Sequence, residues 1–161
     1  MKCRALIAAG AKIDAQDNHG NTPLHNASYH NSVATVKILL AQKGSKDALK
    51  LRTTEGDSAL DYACSNGHVE VAKLLVAGGA DINAQDSRGW GPLHNACTKF
   101  NSKSLELVEF LLESGADPLL LNSDGQKPYD ITREKSIKMA LKVKMDSLLA
   151  DMDFLDGGME F

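Results

Sequence analysis

Two histidines recur in the same setting, Pro23-Leu24-His25-Asn26-Ala27 and Pro92-Leu93-His94-Asn95-Ala96. An imidazole held in a fixed local frame is the natural proton acceptor or metal ligand near neutral pH. Either role needs partners at a recognisable spacing. No glycine-rich phosphate loop opens a helix, and no nucleophile–base pair falls at a known separation. The three cysteines, at 3, 64 and 97, make an odd count with no paired short spacing, which suits a reducing compartment better than a disulfide framework. The chain is therefore expected to carry no catalytic residue, cofactor or metal. Its chemistry is that of recognition.

Composition narrows the class of partner. The 161 residues hold 18 basic and 21 acidic side chains, a formal charge of −3, which is too acidic for a whole-surface nucleic-acid binder. No apolar run reaches the roughly 18 residues that a membrane span needs. The opening Met1-Lys2-Cys3-Arg4 followed by Ala5 to Ala11 superficially looks like a secretory signal, but Lys12 and Asp14 cut the apolar stretch short. A cytoplasmic or nuclear globule is expected.

What positions the histidines is a repeat. Asp17-Asn18-His19-Gly20-Asn21-Thr22-Pro23-Leu24-His25 returns as Asp86-Ser87-Arg88-Gly89-Trp90-Gly91-Pro92-Leu93-His94. Thr53-Thr54-Glu55-Gly56-Asp57-Ser58-Ala59-Leu60-Asp61 stands between them, and Asn122-Ser123-Asp124-Gly125-Gln126-Lys127-Pro128-Tyr129-Asp130 follows. Each block but the last leads into an apolar run, such as Val71-Ala72-Lys73-Leu74-Leu75-Val76, and then into a Gly-Ala-Asp turn, as at 79–81 and 115–117. Thr22 is placed to cap a helix and Pro23 to occupy its first position. Gly91 and Lys127 lack the capping hydroxyl, so their helices are expected to fray more readily.

Anchor positions at 22, 58, 91 and 127, spaced 36, 33 and 36 residues apart, with several motifs in one order and phase, resemble the ankyrin repeat, whose period is about 33. The resemblance covers roughly residues 5–140. It implies an all-α solenoid of stacked helix–turn–helix units with β-hairpin-like turns. The expected organisation is an array over 1–145: a half-repeat at 1–16, repeats at about 17–52, 53–85 and 86–121, and a C-terminal cap at 122–145. An acidic–hydrophobic tail is expected at 146–161. Excess residues after Leu40 and near Phe100–Ser104 are expected in surface loops. Cys64 and Cys97 fall at matching positions of adjacent helices, which pack about 8–10 Å apart, beyond the roughly 7 Å reach of a disulfide.

The resemblance also implies structural hydrogen bonds for His25 and His94, and a concave face, made of turn tips and first helices, that holds a partner protein. Carried over by position, the partner-binding residues are Tyr29, His30, Arg52, Glu55, Asp57, Asn66, Arg88, Trp90, Thr98 and Lys99. Trp90, Arg88 and Tyr29 are residue types that commonly anchor interfaces. Asn83, after Ala80-Asp81-Ile82, matches a local pattern hydroxylated in some members of the family, and its ordinary turn role explains it equally well. A non-enzymatic interaction module or scaffold, acting as a monomeric array, is the leading expectation.

The C-terminal segment suggests an alternative. Ile137, Leu141, Met145, Leu148 and Met152 form one helical stripe, flanked by Arg133, Lys135, Lys138, Lys142 and Lys144. From 146 onward the sign reverses, through Asp146, Asp151, Asp153, Asp156 and Glu160, with no base; without these five acids, 16 acids face 18 bases, a formal +2 for residues 1–145. Interspersed apolar residues, with Phe154 and Leu155 as the core of a tail motif, suit a regulator acting through its tail, such as a transcriptional cofactor or a dedicated chaperone. The half-repeat start also suits a regulatory fragment of a larger protein.

Overall fold

Helix starts are written in the first turn of each unit. Thr22 and Ser58 adopt extended backbone and accept, through their hydroxyls, the N–H of the residue three positions on, His25 and Asp61. The N3 side chains reciprocate: His25 Nδ1 accepts the Thr22 N–H and the Asp61 carboxylate accepts the Ser58 N–H. This reciprocal cap satisfies two donors that a helix otherwise leaves unpaired. Gly91 and Lys127 cannot supply the hydroxyl, yet the other half of the cap survives, with Gly91 N–H donating to His94 Nδ1 and Lys127 N–H to the Asp130 carboxylate. Their helices are short, five and four residues against seven and eight in the hydroxyl-capped units.

The computed structural model describes residue 5 and residues 9–98 and 103–156, with side chains described as far as 152. Among the described residues the chain is helical without strands: α1 (Pro23–Tyr29), α2 (Val33–Leu40), α3 (Ser45–Ala48), α4 (Ala59–Asn66), α5 (Val69–Ala77), α6 (Pro92–Ala96), α7 (Ser104–Glu113), α8 (Pro128–Ile131) and α9 (Lys135–Asp156). Helices pair as α1/α2, α4/α5, α6/α7 and α8/α9, and each pair packs on the next. One core runs through the stack, from Leu24 and Val36 through Leu60, Val71 and Leu75 to Leu93, Leu107 and Leu111, closed at the end by Ile137 and Leu141. No helix pair covers its own apolar face, so the units stand only as a stack.

The inserted residues after Leu40 lie at the surface, with Lys43, Gly44, Lys46 and Asp47 exposed. Ser45–Ala48 forms a single helical turn whose Ala48, with the following Leu49, is buried in the core. Two apolar side chains at the right spacing give the insertion something to bury, and it becomes part of the packing. The C-terminal helix follows the stripe read from Ile137 to Met152: α9 runs unbroken across residues 145 and 146, into the segment where the charge reverses, to Asp156. Nothing between 135 and 156 is a helix breaker, and Gly157-Gly158 comes only afterwards.

Thr22 is fully buried, and its Oγ1 lies 2.8 Å from His25 Nδ1 and 3.3 Å from the His25 N–H. Thr22→Ala is expected to destabilise the protein by about 1–2 kcal/mol. Urea unfolding followed by far-UV circular dichroism checks this.

Candidate functional site

The turns between units stack edge to edge on one side of the molecule. In each, the first residue of the block organises the loop: Asp17 Oδ1 accepts the N–H groups of His19 and Asn21, Asp86 Oδ1 those of Arg88 and Trp90, and Asn122 Oδ1 those of Asp124 and Gln126. Thr53 does the same for Asp57 through its hydroxyl. Successive turns are joined by one backbone bond each: Thr54 N–H to the His19 carbonyl, Ser87 N–H to that of Glu55, and Ser123 N–H to that of Arg88, all 2.9–3.0 Å. Gln16 and Gln85 reach across in the same way, to the Arg52 and Leu121 carbonyls. Asn83 bridges units lower down, donating to the Gly115 carbonyl and accepting the Asp117 N–H.

The recurring histidines belong to this framework. Nδ1 of His25 accepts a backbone N–H, so Nε2 carries the proton and donates to the Asp57 carbonyl of the next unit at 3.1 Å. His94 repeats the arrangement onto the Gln126 carbonyl, also at 3.1 Å. Burial holds both imidazoles below the ordinary histidine range, with the carbonyl bonds opposing. They serve as neutral struts. Asp61 fills the same place in the unit between them, buried and ringed by donors from Ser58 and Asn95, with an Arg52 nitrogen 3.6 Å away. Burial pushes its carboxyl up to about 6 against these donors.

Beneath the turns the first helices expose an aromatic and amide surface. Tyr29 is 53% exposed and meets Tyr62 edge-on with ring centroids 6.0 Å apart. Tyr62 also packs against the His25 ring, and its hydroxyl donates to Asn21 Oδ1 across the unit boundary at 2.9 Å. His30 stands edge-on to Tyr29, and Asn66 is pinned by a bond to the Tyr62 carbonyl. Together with Asn26 and Ser65 these side chains line a shallow cleft of about 360 Å³. Thr98 continues the row, its hydroxyl turned back onto the Asn95 carbonyl.

Arg88 and Trp90 form a second cluster at the tips. The Arg88 guanidinium binds the Asp86 carboxylate at 2.6 Å and lies over the Trp90 ring, 5.2 Å from its centroid. The opposite neighbour of the indole is the His94 ring at 6.0 Å, so Trp90 is half-buried within its own unit. Glu55 is exposed beside this cluster.

Of the expected partner-binding residues, Tyr29, His30, Glu55, Asn66, Arg88, Trp90 and Thr98 therefore have surface on this face. Asp57 does not. It is 8% exposed, because its backbone carries the inter-unit bond from His25 and its side chain tucks under the next turn. Arg52 keeps some surface, its side chain 31% exposed, while its guanidinium lies 3.6 Å from the Asp61 carboxylate. Lys99 lies outside the described residues, as do the side chains of Phe154 and Leu155. Tyr62 is the contributor that the sequence reading missed. Its signal was available, because it occupies the inner-helix position that holds asparagine, Asn26 and Asn95, in the flanking units.

No cluster of three or more histidine, cysteine or acidic side chains suited to a metal ion occurs among the described residues. Among the same residues no helix is long and apolar enough to cross a membrane. The two described cysteines, Cys64 and Cys97, are buried and free, and burial raises the Cys97 thiol to about 12.

The sequence matches the family model for ankyrin repeats in three copies, over residues 2–86 and 46–122. It is 37% identical over 163 aligned residues to ankyrin repeat and SOCS box protein 3 of Bos taurus, covering 80% of this chain and 30% of that protein. It is 31% identical to the putative ankyrin repeat protein YahD of Escherichia coli, over 84% of this chain and 67% of that protein. Protein phosphatase 1 regulatory subunit 27 of Mus musculus is 37% identical over 59% of this chain and 58% of its own length. The chain thus spans about a third of the first of these relatives and between half and two thirds of the other two. With the stacked helix pairs, the reciprocal caps and the histidine struts on one repeat period, these matches place the chain in the ankyrin-repeat family.

Proposed function

We propose that this protein is a non-enzymatic binding module that holds a partner protein against its concave face, with Tyr29 at the centre of the contact. The observation that carries this reading is the Tyr29–Tyr62 pair, an exposed aromatic surface held in one geometry by His25, Asn21 and Asn66. Aromatic rings that are already fixed bury area on binding with little loss of side-chain freedom. The amides around them carry both donors and acceptors, which suits the main chain of a docked segment. Arg88, already ordered by Asp86 and Trp90, supplies a charged contact at the rim. A relative named as a regulatory subunit supports a regulatory role exercised through binding.

A photo-crosslinking amino acid at position 29 is expected to capture a discrete partner from cell extract, and one at the outward-facing Lys37 to capture none. Tyr29→Ala is expected to weaken that partner at least tenfold, while the unfolding midpoint moves little, since more than half of the side chain is already in water. Equal capture from positions 29 and 37, or unchanged affinity in Tyr29→Ala, would overturn the reading.

A further inference from the structure

We infer that the protein pairs with a second copy of itself through the outward face of α9, the two helices running antiparallel. This rests on a face that the concave-site reading does not use.

The helix has two apolar faces. Ile137 and Leu141 point into the stack and are fully buried. At about 100° per residue, Met139, Val143 and Ala150 fall within about 40° of one another, roughly opposite that pair. Met139 is 72% and Val143 64% exposed, and Leu149, about 80° round the helix from Met139, is 47% exposed. A row of large apolar side chains this open is unusual on a surface helix, whose outer face is ordinarily polar. An open groove of about 310 Å³ runs along the same flank between α7 and α9, lined by Leu112, Ala140 and Val143 and by the charged Glu109, Glu113 and Lys144.

Charge identifies the occupant. The first half of α9 carries Lys135, Lys138, Lys142 and Lys144 with no acid, and the half from 146 carries Asp146, Asp151, Asp153 and Asp156 with no base. Such a helix is complementary to itself reversed. A parallel pair would set lysines on lysines, whereas an antiparallel pair sets each basic half on an acidic one. With the two-fold axis near residue 144, Lys142 faces the partner's Asp146 and Met139 faces the partner's Leu149. The contact is the same on both copies, as a closed dimer requires. The 22-residue helix is about 33 Å long, enough for several such layers. Along the same helix Met145 and Leu148 are only partly covered and Met152 is 60% exposed.

Sedimentation velocity on the full 161-residue chain, from about 1 to 100 µM, tests this. The expected result is a concentration-dependent species of twice 17.3 kDa. Lys142→Glu and Asp146→Lys are each expected to weaken self-association at least tenfold, and an equimolar mixture of the two to regain it, because both contacts are then opposite in sign. Val143→Glu is expected to abolish the dimer while leaving the circular dichroism spectrum and urea midpoint in place. A wild-type monomer throughout the range, a dimer indifferent to Val143→Glu, or a mixture no stronger than its components would overturn the inference.

Discussion

Gly56→Ala is expected to lower the unfolding free energy by about 2–5 kcal/mol, much more than the same change at Gly125. Gly56 has φ +87°, in the left-handed region, where a Cβ costs about 1–2 kcal/mol. A Cβ built there would also lie 2.8 Å from the Ser87 backbone nitrogen, the atom that donates to the Glu55 carbonyl and joins the second turn to the third. Backbone cannot move aside as a side chain can, so the overpacking adds about 1–3 kcal/mol and pushes the two turns apart. Gly125 has φ +73° and nothing within 4 Å of the same point. Gly125→Ala is therefore expected to cost only the conformational part, about 1–2 kcal/mol. Urea denaturation of both variants separates the two contributions. Equal losses would mean that stacking of the turns contributes nothing beyond backbone strain. Crosslinked partner capture from position 29 should also fall in Gly56→Ala, because the displaced turn carries Glu55 and seats His25.

Asp61→Asn is expected to gain stability relative to the wild type as the pH rises, by about 1 kcal/mol between pH 5 and pH 7.5. The folded carboxyl titrates at about 6 against an ordinary 3.8, with burial as the leading cause and the Ser58 and Asn95 bonds opposing it. A raised carboxyl pKa means that the folded state holds its proton more tightly than the unfolded state. The stabilising effect of protonation is complete below about 3.8 and is lost as the pH rises through about 6. At about 1.4 kcal/mol per pKa unit, ionising Asp61 in place costs about 3 kcal/mol above pH 7. His25 and His94 act in the opposite sense. Their depressed pKa values give stability that is present above the ordinary histidine range and falls as the pH drops through it. The wild-type profile alone therefore mixes the two signs, whereas the difference between wild type and Asp61→Asn isolates the carboxylate. Urea midpoints of both proteins at pH 5.0, 6.0 and 7.5 supply that difference. A gap independent of pH would show that Asp61 remains ionised when buried, sustained by Arg52.

What the sequence determined by itself was whatever repeats locally. The caps at Thr22 and Ser58, the positive-φ glycines and the phase of the apolar runs each depend on residues within one turn of one another, so they were readable without any knowledge of neighbours. Structural hydrogen bonds for His25 and His94 were implied by the resemblance to the ankyrin repeat, whereas their acceptors, the Asp57 and Gln126 carbonyls, lie 32 residues away in the next unit. Only the tertiary structure decided which members of the face meet solvent. Asp57 and Arg52 occupy turn positions that look exposed in a single unit, and the next unit covers one and engages the other. Tyr62 gained its place because Asn21 and Tyr29, 41 and 33 residues earlier, come to lie against it. The helical turn at Ser45–Ala48 was likewise settled by the burial of Ala48 and Leu49 against the stack. A solenoid adds its units by local rules, but its surface is made by the contacts between them, and those depend on side chains a full repeat apart.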